Sequence, residues 1–206
     1  MPFYQNPQSI SENAKSSPLV RLGLGRGNYW FTFVSDPLTI VCFILWDVFV
    51  LRSNAAASAL SFGAGILCWT FIEYSFHRWV YHEGQTPAHT GHNIHHQSPE
   101  TLIAMPWFVV TAVFSASWYF LGYLLQIRFV MSAVAGLLSG FVLYGAFHHI
   151  LHRFNFKNRR YRQLRAHHFV HHQNPNANFG VTSPVWDYVF GTVYKKERRR
   201  YRARPA

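Results

Sequence analysis

The sequence predicts an all-α integral membrane protein with about four transmembrane helices and a helical cap on the cytosolic side. The composition is the first reason: half of the 206 residues are hydrophobic and only 13% are charged, whereas soluble domains carry roughly 25% charged residues. The second reason is a set of four apolar stretches, each close to the roughly 20 residues that a helix needs to cross a bilayer. The third is that all thirteen histidines fall in two short windows, 77–96 and 148–172.

The four apolar stretches differ in how clearly they predict a span. They run over about 30–51, 55–76, 102–127 and 129–151. The third and fourth contain no acidic residue and are separated by a single cation, Arg128. The first is interrupted by Ser35-Asp36-Pro37, a pattern typical of a helix start with an N-cap and a proline in the first turn. A helix over 37–51 would be about 22 Å long, so this segment either extends, tilts, or joins residues 29–35 as a broken span.

Three regions follow from these patterns. Residues 1–28 are predicted to be a flexible N-terminal tail without a secretory signal, and 29–194 to be the membrane-embedded domain. Residues 195–206 form a basic C-terminal tail that contributes much of the net charge of +11. That tail is expected to contact anionic lipid headgroups. No nucleic-acid module is recognisable, so nucleic acid is not an expected partner.

The distribution of Lys and Arg predicts the orientation. Seventeen of the nineteen lie in the N-terminal tail, after the second stretch, or after the fourth, and only Arg52 and Arg128 lie on the other side. The positive-inside bias therefore makes the side with both histidine windows cytoplasmic. The chain leaves the second stretch into the first window, crosses twice, and enters the second window, so the two windows must share one face of the membrane.

The spacing of the histidines is typical of metal ligands. The first window contains HRWVYH and HTGHNIHH, and the second contains HHILH and HHFVHH. Histidines three or four apart share one face of a helix, whereas adjacent histidines point about 100 degrees apart and can serve two metals. His77 and His82 are five apart, so the sequence requires a helix end or a bulge between them.

The repeated spacing defines ten candidate ligands for two metals. They are His77, His82, His92, His95, His96, His148, His152, His168, His171 and His172. Iron is favoured by the type and number of ligands, although spacing alone leaves zinc and copper open. The other three histidines, His89, His149 and His167, are expected to orient ligands or to lie on the surface.

Several other residues are expected to surround such a site. Glu73, one turn before His77, either points into the protein towards a ligand, because a carboxylate facing lipid is costly, or simply lies near the membrane interface. Asp187 either accepts a hydrogen bond from a ligand imidazole or caps a turn. Six aromatic residues near the histidines either line a passage for a lipid or pack in the ordinary way: Trp69, Phe76, Trp79, Trp107, Phe147 and Phe169.

The segments HRWVYH, HNIHH, HHILH and HFVHH, followed by NFGVTSPVWDYVFGT over 178–192, resemble the fatty acid hydroxylase and sterol desaturase superfamily. The likeness covers most of residues 55–192, and the order of the boxes is most similar to the catalytic domain of fatty acid 2-hydroxylases. The resemblance implies a dimetal centre that is itself catalytic, with two Fe ions held by the ten histidines and Zn as a substitute. It also implies that O2 and two electrons are used to hydroxylate or desaturate a lipid, a fatty acyl chain first of all.

The resemblance has a departure and leaves alternatives. Tyr144 matches a tyrosine often found four residues before the third box, but Gly145 stands where an acidic residue usually follows, which weakens a sphingolipid-type assignment. Without a cytochrome b5 domain or a recognisable heme, flavin, iron–sulfur or nucleotide motif, electrons are expected from a separate cytochrome b5-like or ferredoxin-like donor. The competing interpretations are a carotenoid or sterol hydroxylase or desaturase, a metal-binding membrane carrier, and a structural zinc protein. A bacterial inner membrane and the endoplasmic reticulum both fit, and no substrate-binding residue is predicted.

Overall fold

A computed structural model describes residues 17–196 of the chain, and within this range the protein is helical, with no strand. In chain order the helices are α1 (Pro18–Gly23), α2 (Arg26–Leu45), α3 (Ala55–Ser75), α4 (Pro87–Gln97), α5 (Trp107–Trp118), α6 (Val130–Arg153), α7 (Arg159–Gln173) and α8 (Val185–Val189). Three of them, α2, α3 and α5, continue as π-helical turns over Trp46–Val50, Phe76–His82 and Tyr119–Leu124. The all-α prediction is confirmed for these residues. The predicted tails at 1–16 and 197–206 lie outside the described residues.

The protein is an integral membrane protein built on four long apolar helices. With their π-helical turns these run over Arg26–Val50, Ala55–His82, Trp107–Leu124 and Val130–Arg153, and each is long and apolar enough to cross a membrane. Large apolar side chains such as Leu38, Phe49, Leu60 and Leu67 are more than half exposed on their outer faces. An outer surface of this kind suits lipid rather than water.

The predicted helix start at Ser35-Asp36-Pro37 is wrong. Helix α2 begins at Arg26 and passes through Pro37, which lies inside it. A proline removes one backbone hydrogen bond, but ending a helix within the bilayer would leave several backbone groups without partners, at several kcal/mol each. The cost of a break in the membrane therefore outweighs the helix-start pattern at Ser35-Asp36-Pro37. The first membrane-spanning segment is 25 residues long.

The third span is shorter than the apolar stretch from which it was predicted. Helix α5 begins at Trp107 rather than near 102, because Pro106 precedes it in an extended conformation. Residues 101–106 instead run as an extended segment alongside α1, where the Ala104 N–H donates to the Gly23 carbonyl at 3.1 Å. This segment later forms one wall of a cavity.

Helices α3 and α6 pack closely, and small residues allow it. A Cβ atom placed on Gly65 would collide with the Ala133 carbonyl of α6, and one placed on Gly136 would collide with the Phe62 carbonyl of α3. Such backbone-to-backbone contact is typical of packed membrane helices. Because His77 follows α3 and His148 belongs to the end of α6, this contact sets the distance between the two histidine windows.

A buried carboxylate joins the helices at the end remote from the histidines. The Asp47 carboxylate, at the end of α2, accepts hydrogen bonds from the hydroxyls of Ser53 at 2.7 Å, Ser58 at 2.6 Å, and Ser132. Ser58 belongs to α3 and Ser132 to α6, so one side chain connects three membrane helices. Asp47 is fully buried, and three hydroxyl donors meet its need for partners.

The cap consists of α4 and α7, each of which carries one HxxHH motif. Both helices begin with a side-chain cap: Thr86 accepts from the His89 N–H, and Asn158 accepts from the Tyr161 N–H. These caps fix where each helix starts, and therefore which faces of α4 and α7 present their histidines to the interior.

We expect Gly65→Ala to lower the stability of the protein by about 1–3 kcal/mol, because the added methyl must separate α3 from α6. Gly63→Ala is the matched control, since nothing lies within 4 Å of a Cβ atom at that position. There we expect no loss, because alanine favours helix over glycine. Thermal unfolding in detergent measures both variants, and equal midpoints would contradict the packing described.

Candidate metal centre

The π-helical turn at the end of α3 brings the first two histidines together. In a π-helix, residues five apart hydrogen-bond along the axis and share a face, so His77 and His82 point the same way over Phe76–His82. Their ring centroids are 5.2 Å apart and nearly parallel. The expectation of a helix irregularity between these residues is confirmed. The turn ends just before Gly84, and α4 starts at Pro87.

The ten predicted ligands converge in two groups of five. The first group, here the inner cluster, is His77, His82, His92, His96 and His171. The second, here the outer cluster, is His95, His148, His152, His168 and His172. In each group one ring nitrogen per residue lies within 4.8 Å of every other.

Both clusters draw on both windows. His171, from the second window, completes the inner cluster, and His95, from the first window, completes the outer one. The adjacent pairs His95-His96 and His171-His172 each divide between the clusters, as their angular separation on a helix predicts. The two HxxHH helices therefore connect the clusters to each other as well as holding the ligands.

The ring nitrogens of the inner cluster are arranged as ligands of a cation rather than as hydrogen-bonded pairs. The Nε2 atom of His171 is 3.1 Å from Nε2 of both His82 and His96, and Nε2 of His77 is 3.1 Å from Nε2 of His92. A neutral imidazole has a single N–H. When the Nδ1 atoms of His77 and His171 use it to donate to backbone carbonyls, both Nε2 atoms present bare lone pairs to their neighbours.

The outer cluster is also arranged as a set of metal ligands, because some of its buried ring nitrogens have no hydrogen-bond partner within residues 17–196. The buried Nε2 atoms of His95 and His148 have no hydrogen-bond partner among the described residues, although buried polar atoms in proteins are nearly always paired. Nε2 of His168 lies 2.8 Å from that of His152 and 3.2 Å from that of His172. Nitrogens at right angles around an ion with bonds of about 2.1 Å are about 3.0 Å apart. The residues of both clusters therefore fit a metal ion in each.

Five of the candidate ligands in the cap are held neutral. Burial, reinforced by the neighbouring imidazoles, places the pKa values of His92, His95 and His168 well below the usual 6.5. Burial likewise lowers the pKa of His171 to about 3 and that of His172 to about 4. Neutral imidazole is the form that binds a metal, so at neutral pH a metal meets these ligands already deprotonated.

A short loop after α7 orients one candidate ligand from each of the two histidine windows. The Ala177 carbonyl accepts from Nδ1 of His171 at 2.7 Å, and the Phe179 carbonyl accepts from Nδ1 of His77. Asn178 between them has a φ of 59°, a left-handed conformation that asparagine tolerates better than most residues. This turn directs the two carbonyls at two different imidazoles. We call residues 177–182 the anchor loop.

Two buried carboxylates hold the anchor loop in place. Glu73 accepts from the Val181 N–H at 2.7 Å, from the Thr182 N–H at 2.8 Å, and from the Thr182 hydroxyl. Asp187 accepts from the N–H groups of Phe179 and Gly180, both at 2.8 Å. Glu73 thus points into the protein as expected, but it reaches the ligands through the loop rather than directly.

Asp187 also accepts from a histidine, although from none of the ten. Its partner is Nε2 of His167 at 2.9 Å. Burial raises the pKa of Asp187, but hydrogen bonds from His167, Thr192 and the loop outweigh burial, so the net pKa is lowered. A low pKa keeps this carboxylate ionised, and an ionised carboxylate is the stronger acceptor for the loop.

The three remaining histidines lie outside both clusters, each hydrogen-bonded to another residue. His89 interacts through Nδ1 with the Tyr81 carbonyl at 2.7 Å, and its Nε2 lies 2.8 Å from the Asn93 amide. His149 shares a hydrogen bond of 2.7 Å with the Tyr29 hydroxyl, which ties α6 to α2. His167 is bound to Asp187, and none of the three belongs to either group of converging ring nitrogens.

A cavity of about 380 Å³ extends from the histidines between α2 and α6. It is lined by His92, His95, His148 and His152 at one end. The rings of Tyr81 and Tyr144 also line it, the first stacked on His92 and the second on His148. The family resemblance identifies Tyr144, but not Tyr81. The one sequence feature that marks Tyr81 is its position directly before His82.

Of the six aromatic residues considered for a lipid passage, only Phe76 lines this cavity. Trp69 packs edge-on against Phe141, and Trp107 against Phe31. Phe169 lies beneath the guanidinium of Arg165, while Trp79 and Phe147 are exposed. Ordinary packing therefore accounts for most of the set, because proximity in sequence to a histidine box does not fix the direction of a side chain.

Comparison with known proteins agrees with this arrangement. The family model for fatty acid hydroxylases matches residues 62–192. The chain is 27% identical over 180 residues to a dihydroceramide fatty acyl 2-hydroxylase of Arabidopsis thaliana, covering 80% of this chain and 73% of that protein. It is 27% identical over 183 residues to the fatty acid 2-hydroxylase of Mus musculus, covering 82% of this chain but only 49% of the mouse protein.

The fold has a solved counterpart as well. The hydroxylase domain visible in full-length scs7p superimposes with a TM-score of 0.71 at 27% sequence identity, covering 87% of this chain and 70% of that one. The family match spans both histidine windows, all ten converging histidines and the anchor loop. The chain belongs to the fatty acid hydroxylase family.

Proposed function

We propose that the protein is a membrane oxygenase that hydroxylates a C–H bond of a lipid, in the first instance of a fatty acyl chain. In the balanced reaction, the lipid R–H, O2, two electrons and two protons give R–OH and water. One oxygen atom enters the lipid and the other leaves as water. The observation that carries the proposal is the convergence of ten imidazoles as two sets of five beside a cavity that reaches into the membrane region.

The inner and outer clusters would each hold one iron ion. Ten nitrogen ligands exceed what a structural zinc needs, since such sites are normally closed by four ligands. A pair of irons supplies the redox chemistry that activates O2, which no amino-acid side chain supplies. The family membership supports a hydroxylase, and the Arabidopsis and mouse relatives are named as a fatty acyl 2-hydroxylase and a fatty acid 2-hydroxylase.

The chain itself supplies binding, orientation and protection from water. The cavity admits an apolar chain past Phe76, Val80 and Phe141 to the face formed by His95 and His148. Tyr81 and Tyr144 line that face, so their hydroxyls can bind a polar group of the lipid near the point of reaction. Apolar walls limit the access of water to the reacting atoms.

The electrons would come from a separate donor on the cytoplasmic side. The bias of Lys and Arg towards the end with the cap supports that orientation. Several of these cations, Lys157, Arg159, Arg160 and Arg162, are exposed around the start of α7. An acidic redox protein could dock there by charge complementarity, close to the helix that carries His168 and His172.

We expect His95→Ala and His171→Ala to remove one iron each from an otherwise folded protein. His95 belongs to the outer cluster and His171 to the inner one, so each variant should retain about one of two irons and lose at least about 100-fold in product formation. Metal analysis after anaerobic loading with ferrous iron, followed by mass spectrometry of lipid products, measures both.

The control for metal content is His149→Ala, because His149 lies outside both clusters and binds Tyr29. It should keep both irons. One tightly held zinc per chain that iron cannot displace would reject the oxygenase in favour of a structural or hydrolytic site. Unchanged product in both cluster variants would reject the ligand assignment.

We expect Glu73→Ala to weaken metal binding without removing a ligand. Loss of this carboxylate frees Val181 and Thr182, and with them the carbonyl that orients His77, so metal affinity of the inner cluster should fall about 10- to 100-fold. Glu83→Ala is the matched control, since Glu83 is exposed and just past the end of the π-helical turn. Titration of both proteins with cobalt, followed by absorption spectroscopy, gives the two affinities. Equal affinities would show that the anchor loop does not position His77.

A further inference from the structure

The cavity contains a carboxylate that the proposed chemistry does not use. Asp36 lies in the membrane helix α2, and its side chain lines the cavity. The residue is 2% exposed. Ionisable residues buried within membrane helices are costly and usually functional.

Within the described part of the chain, Asp36 has too few partners for a purely structural role. Its one side-chain hydrogen bond comes from the neighbouring Ser35 hydroxyl, at a long 3.2 Å. Asp47, in the same membrane-spanning segment, is bonded by three serine hydroxyls and lies away from the cavity. The protein therefore fills the hydrogen-bonding capacity of Asp47, whereas the Asp36 carboxylate faces the cavity and can accept further hydrogen bonds.

Asp36 belongs to a polar stripe along one wall of the cavity. Tyr29, Thr32 and Asp36 are spaced by three and four residues, so they share one face of α2, and all three line the cavity. The Thr32 hydroxyl donates to the Tyr29 carbonyl at 2.8 Å, which leaves its oxygen free to accept. Phe76 and Val80 line the same cavity from the π-helical turn that follows α3. The cavity is therefore amphipathic, which a plain hydrocarbon chain does not require.

The register of α2 against α6 places Asp36 deeper in the membrane than the histidines. Tyr29 bonds to His149, and Phe33 is the neighbour of Gly145, so the two helices run antiparallel. Continuing this register puts Asp36 level with Val142, six residues from His148. At 1.5 Å per residue, this is about 9 Å farther from the cap.

We propose that Asp36 is a specificity-determining residue that accepts a hydrogen bond from a hydroxyl group of the lipid held in this cavity. The preferred ligand is then an acyl lipid that carries a hydroxyl, rather than an unsubstituted chain. The hydroxyl could belong to the polar end of the lipid or to its chain, and both present the same donor to the carboxylate. That this lipid is also the substrate rests on the proposed function, whereas its binding does not.

The test measures lipid binding rather than turnover. A fluorescent fatty acid is displaced from the full-length, detergent-purified protein by two matched sets of lipids. The first compares N-hexadecanoyl sphinganine with N-octadecyl hexadecanamide, which lacks the hydroxyls of the polar end. The second compares a series of monohydroxylated octadecanoic acids with octadecanoic acid itself. We expect about tenfold tighter binding of the hydroxylated member in at least one set, the effect of one hydrogen bond to a charged acceptor.

Three variants separate recognition from folding. Asp36→Leu should reduce the preference to less than about twofold, whereas Asp36→Asn, which keeps an acceptor oxygen, should retain part of it. Asp47→Asn is the matched control in the same segment. It should lower the thermal midpoint, because three serine hydroxyls lose a charged acceptor, and leave the tenfold preference unchanged.

Equal binding of hydroxylated and unsubstituted lipids by the wild-type protein would overturn the proposal, and this result does not depend on any variant folding. A full preference in Asp36→Leu would overturn it as well. A preference that depends on Asp36, in a protein that yields no hydroxylated product when loaded with iron and reduced, would uphold this inference and reject the oxygenase.

Discussion

The structure depends on one electrostatic constraint: ten closely packed imidazoles can share a small volume only when they are neutral and their lone pairs point at cations. Protonated rings would repel each other at the observed separations near 3 Å, and burial lowers the pKa values of His92 and His168 well below their usual range. Neutral rings in turn direct bare lone pairs at one another, which is unfavourable until a metal ion accepts them. The same arrangement that excludes protons therefore favours metal binding.

Each level of the fold contributes to that convergence. The small residues between α3 and α6 bring the ends of two membrane helices together. The π-helical turn then places His77 and His82 on one face, and the capped helices α4 and α7 divide their adjacent histidines between the clusters. The anchor loop completes the inner cluster through two backbone carbonyls, with Glu73 and Asp187 fixing its position. One carboxylate from a membrane helix and one from α8 thus position the ligands through this loop.

The sequence predicts those features that follow from spacing and topology. The pairing of histidines three and four apart, the sharing of adjacent histidines and the meeting of both windows on one face are all geometric consequences of helices and of two membrane crossings. Which histidines join which cluster depends on how α4 packs against α7, and sequence spacing does not contain that information. The helix start predicted at Pro37 is wrong because the bilayer makes a break there costlier than the loss of one hydrogen bond. The roles of Phe179, Ala177 and Asp36 depend on a backbone carbonyl or on a cavity, and these appear only once the chain is folded.

In the function proposed here, the two clusters would together activate O2 and transfer one of its oxygen atoms to a lipid. The most direct test is a single turnover of the iron-loaded, chemically reduced protein with isotopically labelled O2 and membrane lipids, followed by mass spectrometry of the lipid products. We expect one labelled oxygen in the hydroxylated lipid for every two electrons consumed. Product oxygen that derives from water, or consumption of O2 without any labelled lipid, would contradict it.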